Sequence, residues 1–136
     1  MDDLIKTMRI SAAGMRVQGQ RLRVISQNIA NANSLPQDAG DKPYRRQVIS
    51  FRNELDRSIG LETVRVSKVR PDKSDFGKRY EPSHPAADAD GYVLTPNVNS
   101  LIEMTDMREA QRSYEANLSV IKASKSMLTL TIDLLR

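Results

Sequence analysis

The first thirty-odd residues constrain this chain most, because they read as one long helix with too little of its own to fold against. Met8, Met15, Leu22 and Ile29 recur every seven residues as one row, beside a second row of Ile5, Ala12, Gly19, Ser26 and Asn33. Two such rows make a coiled-coil seam. The first is apolar throughout; the second fades from Ile5 to small and polar residues, which lets backbones approach closely but gives a lone pair of helices little adhesion. Burying the four large residues contributes roughly 1.5 to 3 kcal/mol each. Ordering about thirty residues costs on the order of 1 to 2 kcal/mol apiece in backbone entropy before hydrogen bonds and other contacts offset it. Alone the helix is marginal, so the seam requires more than one partner.

The helix is expected to start at Asp2 or Asp3, whose carboxylates suit a positive helix end, and to run to about Ala32. Asn31-Ala32-Asn33-Ser34-Leu35-Pro36 carries the stop, since Asn tolerates the left-handed conformation of a helix end and Pro blocks continuation. Asn28 and Asn31 lie in the last turns, either exposed or fixing the register of a neighbouring helix. At the other end, Ser100-Leu101-Ile102-Glu103 has the spacing of a capping box and opens a helix running towards Arg136. Its seam repeats the pattern: Met107, Tyr114, Ile121, Leu128 and Leu135 stand beside Ala110, Asn117, Ser124 and Thr131. Two long helices of this kind suit pairing with each other and with copies.

Between them, residues 44–51 and 61–69 read as strands, the second with clear alternation around Val64 and Val66. Asn53 to Ser58 fits a helical turn or a long hairpin connection. Residues 70–90 hold three of the six prolines and read as an extended surface segment; Gly91 to Thr95 reads as a short third strand. The expected fold class is therefore α+β: long N- and C-terminal α-helices pairing as a coiled coil around a small β-containing centre. The expected segments are 1–33, 34–99 and 100–136. With no Trp, four Tyr, two Phe and a mean hydropathy of −0.51, large anchors for a globular core are few.

Cysteine is absent, which excludes disulfide and thiolate chemistry. Asp2, Asp3, Lys6, Arg9 and Arg16 interrupt any signal-type apolar run, and no membrane-spanning run occurs. Neither a cleaved signal peptide nor direct membrane insertion is expected. Residues 1–33 hold five basic and two acidic side chains, 34–96 eleven and ten, and 97–136 five and five, so the net charge of +4 sits mainly on the first helix. Arg9, Arg16 and Arg23 form a stripe seven apart. The alternative reading is a basic helical module that tracks nucleic-acid phosphates; the thinness of the stripe and the lack of stacking aromatics favour a solvated or inter-subunit face, with no nucleic acid. His84 has no triad partners. Asp88-Ala89-Asp90-Gly91 lacks the further ligands of a calcium loop and reads as a turn. No catalytic residues, metal site or cofactor are expected, and the chain does not read as an enzyme.

Ser11-Ala12-Ala13-Gly14-Met15, Gln18 with Arg21-Leu22, and Ile25-Ser26-Gln27-Asn28-Ile29-Ala30-Asn31-Ala32-Asn33-Ser34 form a set that resembles the N-terminal signature of the axial proteins of the bacterial flagellum. More specific to the proximal-rod members are Pro43-Tyr44-Arg45-Arg46, Tyr80 to Pro85, Asp90-Gly91-Tyr92-Val93, Pro96-Asn97-Val98-Asn99, and Glu103-Met104 to Met107 with Ala110, Arg112 to Asn117 and Lys125 to Met127. Two departures stand out: Ala86 where the family more often has Asp, and residues 35–42, which lack a Gly- and Thr-rich connector. The resemblance implies a structural subunit that stacks helically into the rod, crosses the periplasm and transmits torque. Implied partners are copies of itself, other rod proteins and the flagellar type III export apparatus. Another axial component is the alternative within the class. The residues expected at assembly interfaces are Ile5, Met8, Ala12, Met15, Gly19, Leu22, Ile25, Asn28, Ile29 and Asn31 on the first helix. On the second they are Met107, Ala110, Tyr114, Asn117, Ile121, Leu128 and Leu135.

Overall fold

The computed structural model describes residues 2–135. Helix α1 spans Asp2–Ala30 and helix α2 Ser100–Leu134, with strands β1 (Gln47–Asp56), β2 (Leu61–Pro71), β3 (Gly77–Tyr80) and β4 (Tyr92–Thr95) between them. This is the expected α+β architecture, helices at both ends and small antiparallel sheets in the middle. Arg136, towards which the second helix was expected to run, lies outside the described residues.

At the start of α1, Asp2 and Asp3 occupy the first turn, and Lys6 pairs with Asp2 one turn away at 2.6 Å, as i,i+4 spacing allows. Its end differs from expectation. No described non-glycine residue has positive φ, so Asn33 does not form a left-handed cap. Instead the turn tightens through bonds from Ala32 N to the Ile29 carbonyl and Ser34 N to the Asn31 carbonyl, while the Asn31 amide donates to the Gln27 carbonyl at 2.8 Å. These contacts satisfy carbonyls that a helix end leaves open. The start of α2 differs too. Asn99, not Ser100, is the cap: its Oδ1 accepts from the N–H groups of Leu101 and Ile102. Glu103 is thereby released from the capping box and turns inward.

β1 and β2 are hydrogen-bonded neighbours, joined by residues 57–60. The first strand lies three residues later than expected and continues to Asp56, resolving residues 53–58 as strand and hairpin tip. Asp56 Oδ1 accepts from both the N–H and the hydroxyl of Ser58, and Gly60 closes the turn at φ 68°, a conformation that Gly adopts without steric cost. β3, inside the stretch expected to be merely extended, pairs antiparallel with β4, Gly77 opposite Thr95 and Tyr80 opposite Tyr92. The centre is thus two separate two-stranded sheets. The return between β3 and β4 is made by Asp88, whose Oδ1 accepts from Asp90 N and Tyr92 N, and by Gly91 at φ 82°. This is the turn that the sequence predicts there.

The chain divides into two compact units. One comprises Met1–Leu22, Ser50–Lys68 and Arg108–Arg136, the other Arg23–Ile49 and Val69–Met107. In the first, Ser11, Val17, Thr63, Ala110 and Ser124 are buried; in the second, Val24, Ile25, Asn28, Val93 and Glu103. Each core is small and half polar.

Candidate functional site

In the second unit the polar residues form one connected cluster. Asn28, 1 % exposed, donates from Nδ2 to the Gln47 carbonyl at 2.8 Å and to Glu103 Oε2 at 3.0 Å. Its Oδ1 accepts from the Tyr44 hydroxyl and from Gln47 N, both at 2.9 Å. An Asn amide offers two hydrogens and two lone pairs, and here all four are used. The side chain acts as an extra peptide group at the head of β1. Burying it costs little because nothing is left unpaired.

Glu103, also 1 % exposed, accepts from Arg46 Nε at 2.5 Å. Arg46 reaches Asp72 at 3.3 Å and Asp106 at 3.9 Å as well. The hairpin ladder sets up this meeting: Asp72 N donates to the Arg46 carbonyl, so the two residues stand opposite each other and their side chains pair across strands. Arg46 N donates to Asn97 Oδ1, whose amide group in turn donates to Ser74. Burial works against the Arg46 charge, but hydrogen bonds and charge from Glu103 and Asp72 outweigh it and raise its pKa. The Ser74 N–H, then the Ser74 hydroxyl and Arg46, hold the Asp72 carboxyl below its ordinary value, against the effect of burial. Burial, then the Glu103 charge, pushes the Tyr44 phenol up. Every member has a partner, which is the condition for a buried polar network to hold one conformation.

In the first unit the two helices run antiparallel, with Arg21 3.3 Å from Glu109 and Gly14 against Asn117. A Cβ at Gly14 would lie 2.9 Å from the Asn117 amide nitrogen, so the helices approach where the side chain is missing. A Cβ at Gly19, the glycine expected to allow close approach, meets nothing within 4 Å among the described residues. On its hairpin side α1 borders a groove of about 610 Å³. Ala12, Ala13 and Val17 from α1 and Val64 and Val66 from β2 give it apolar walls, and Arg9, Arg16, Arg65 and Asp56 charge it. Arg9 donates to Ser58 at the hairpin tip, so part of the arginine stripe faces this groove.

Of the residues expected at interfaces, Ile25, Asn28 and Ala110 are buried within the chain. Met8, Met15, Gly19, Leu22, Ile29, Asn31, Met107, Tyr114, Asn117, Ile121 and Leu128 are half-buried, and Ile5, Ala12 and Leu135 are exposed. On α1 the fully buried positions of the first unit are Ser11 and Val17, flanking Gly14, rather than the Met8 row. The close approach at Gly14 turns that face inward and leaves the Met8 row on the flank. Exposed apolar side chains are concentrated on α2, including Leu101, Ile102, Met104, Met127 and Leu130. Sequence reasoning missed Arg46 and Glu103 as partners; the available signal was a lone Glu flanked by Ile102 and Met104. His84 Nδ1 accepts from Ala86 N in a local turn. Among the described residues, no three His, Cys, Asp or Glu side chains are placed to hold a metal ion, and no helix is long and apolar enough to cross a membrane.

Residues 89–134 match the family model of the flagellar basal body rod FlgEFG protein C-terminal region. Over 136 residues the chain is 50% identical to the flagellar basal-body rod protein FlgC of Agrobacterium fabrum, covering 100% of this chain and 98% of that protein. The chain belongs to the FlgC family of flagellar basal-body rod proteins. Identity to the FlgC of Borreliella burgdorferi is 40%, with 98% of each chain covered. To that of Salmonella typhimurium it is 37%, over 96% of this chain and 97% of the relative. Of the residues whose resemblance to this family the sequence shows, Asn28, Tyr44, Arg46, Asn97 and Glu103 are those of the polar cluster. Gly14 and Asn117 form the close helix contact.

Proposed function

We propose that this chain is a structural subunit of the proximal rod that polymerises helically through its terminal helices and forms part of the shaft transmitting torque across the periplasm. The observation that carries the reading is end-to-end membership of the FlgC family. The apolar side chains left exposed along α2 support it, since exposed apolar rows of this extent mark contact surfaces. Contacts that do not close under rotation propagate as a helix. In this reading residues 1–33 and 100–136 build the inner helical layer, and 34–99 faces away from the rod axis towards other rod proteins. The subunit travels through the type III export apparatus without cleavage, and it is not an enzyme.

Ile5 and Met127 are exposed, so Ile5→Asp and Met127→Asp leave the chain's own fold in place. Each is expected to abolish rod assembly and motility in a strain carrying only the variant, with normal protein level. Wild-type swimming by both would refute the assembly role of the helices.

A further inference from the structure

The two helices of the first unit differ in length, 29 residues against 35, and their register says where the excess lies. Gly14 faces Asn117 and Arg21 faces Glu109. Continued residue for residue, this antiparallel register sets Asp2 beside Leu128 or Thr129. Everything beyond projects past the start of α1. Leu130 is 60% and Leu134 88% exposed there, so the last turns of α2 are apolar and, among the described residues, unpartnered.

The groove beside α1 is the complementary surface. On α2, Leu130, Asp133 and Leu134 share one face by i,i+3 and i,i+4 spacing, and Asp133 is the one acid among residues 126–135. The groove offers small apolar walls from Ala12, Ala13 and Val17 beside a basic edge. Arg9 already donates to Ser58 and Arg65 lies 3.6 Å from Glu54, whereas Arg16 makes no ion pair or hydrogen bond among the described residues. The projecting end cannot reach the groove of its own chain. It runs away from Asp2, and the groove begins at Arg9, about 10 Å further along α1 at 1.5 Å per residue.

We propose that the groove receives the projecting end of α2 from a second copy of this chain, Leu130 and Leu134 against its apolar walls and Asp133 against Arg16. The inference rests on the rod reading and names the contact that reading requires. End and groove are different surfaces of one chain, so the contact is head-to-tail and leaves a free groove and a free end on every pair. The charge pair selects orientation more than it adds affinity.

The test uses basal bodies from cells expressing the full chain. The protein has no cysteine, so Ala12→Cys with Leu134→Cys, both at exposed positions, reports only the designed contact; Val64→Cys with Leu130→Cys is the second pair. Oxidation is expected to give a reducible ladder at multiples of the chain mass. Arg16→Asp or Asp133→Arg alone should lower incorporation roughly tenfold, and the two together should restore it. An incorporated double-cysteine chain without a ladder, an adduct of any other mass, or full incorporation of both single charge variants would overturn the proposal while leaving the rod reading standing. Absence of the unmodified chain from basal bodies would instead overturn the rod reading itself.

Discussion

Asn28 binds Gln47 as a neighbouring strand would, its amide donating to the Gln47 carbonyl at 2.8 Å and accepting from the Gln47 N–H at 2.9 Å. A helix side chain thereby sets where β1 begins. The same amide holds Glu103 of α2, so one residue of α1 positions both the strand and the second helix within this unit.

Asn28→Leu is expected to be strongly destabilising, on the order of 3 kcal/mol or more, because Gln47, Tyr44 and Glu103 each lose a partner in a buried site. Asn28→Asp keeps the shape but replaces the donor by a carboxylate facing the Gln47 carbonyl and Glu103. Its defect should be largest at neutral pH and shrink in acid. Urea unfolding of the purified chains at two pH values checks both.

Arg46→Met leaves Glu103 buried without its cation and should cost about 3 to 5 kcal/mol. Replacing Glu103 by Met in the same chain should recover a large part of that loss, since the stranded charge is gone. A double-mutant cycle reads the coupling, and additive losses would show that Glu103 does not depend on Arg46.

Stability should respond to pH at both extremes. The Asp72 carboxyl is held low, so its contribution is complete above the ordinary carboxylate range, about pH 4, and is lost as pH falls through the lower folded value. The Tyr44 phenol is pushed up, so its contribution is complete below about pH 10 and is lost as pH rises towards the folded value. Asp72→Asn should flatten the acid limb and Tyr44→Phe the alkaline limb of a denaturation midpoint measured against pH.

Gly14 and Gly19 should answer the same substitution differently. At Gly19 nothing opposes a Cβ among the described residues, so Gly19→Ala should stabilise by roughly 0.5 to 1 kcal/mol through helix propensity. At Gly14 the Cβ displaces the Asn117 amide from its 2.9 Å bond to the Ser113 carbonyl. Gly14→Ala should therefore gain nothing, and Gly14→Ile should lose roughly 1 to 3 kcal/mol. Thermal melts of the four chains, wild type included, order them.

Gln18 Oε1 is buried without a hydrogen-bond partner. Leaving such an atom unsatisfied costs roughly 1 to 3 kcal/mol, so Gln18→Met should raise the melting temperature. An unchanged or lower value would show that the amide is satisfied in solution.

Local patterns were sufficient for the existence of the two terminal helices, whose seven-residue apolar repeats lie in the sequence itself, though not for their caps, since Asn33 takes no left-handed conformation and Asn99 replaces Ser100. They also sufficed for the Asp88 to Gly91 turn, where a side-chain acceptor and a glycine at positive φ make the bend within five residues. The hairpin tip was harder to read, since its closure by Asp56 and Gly60 uses residues that also suit a helical turn. The family signature was likewise present in the primary structure, spread over nearly the whole chain.

What the amino-acid order could not decide was which helical face turns inward and which polar residues meet. An apolar row marks a face able to be buried, but the approach at Gly14 depends on Asn117, 103 positions away. Once that contact forms, Ser11 and Val17 are buried and the Met8 row is left on the flank. Glu103 reads locally as half of a capping box. It becomes the buried anion of the second unit only because Asn99 takes the cap and the hairpin register carries Arg46 to it. Long-range register is a property of the folded backbone, and the polar cluster that locks this chain exists only there.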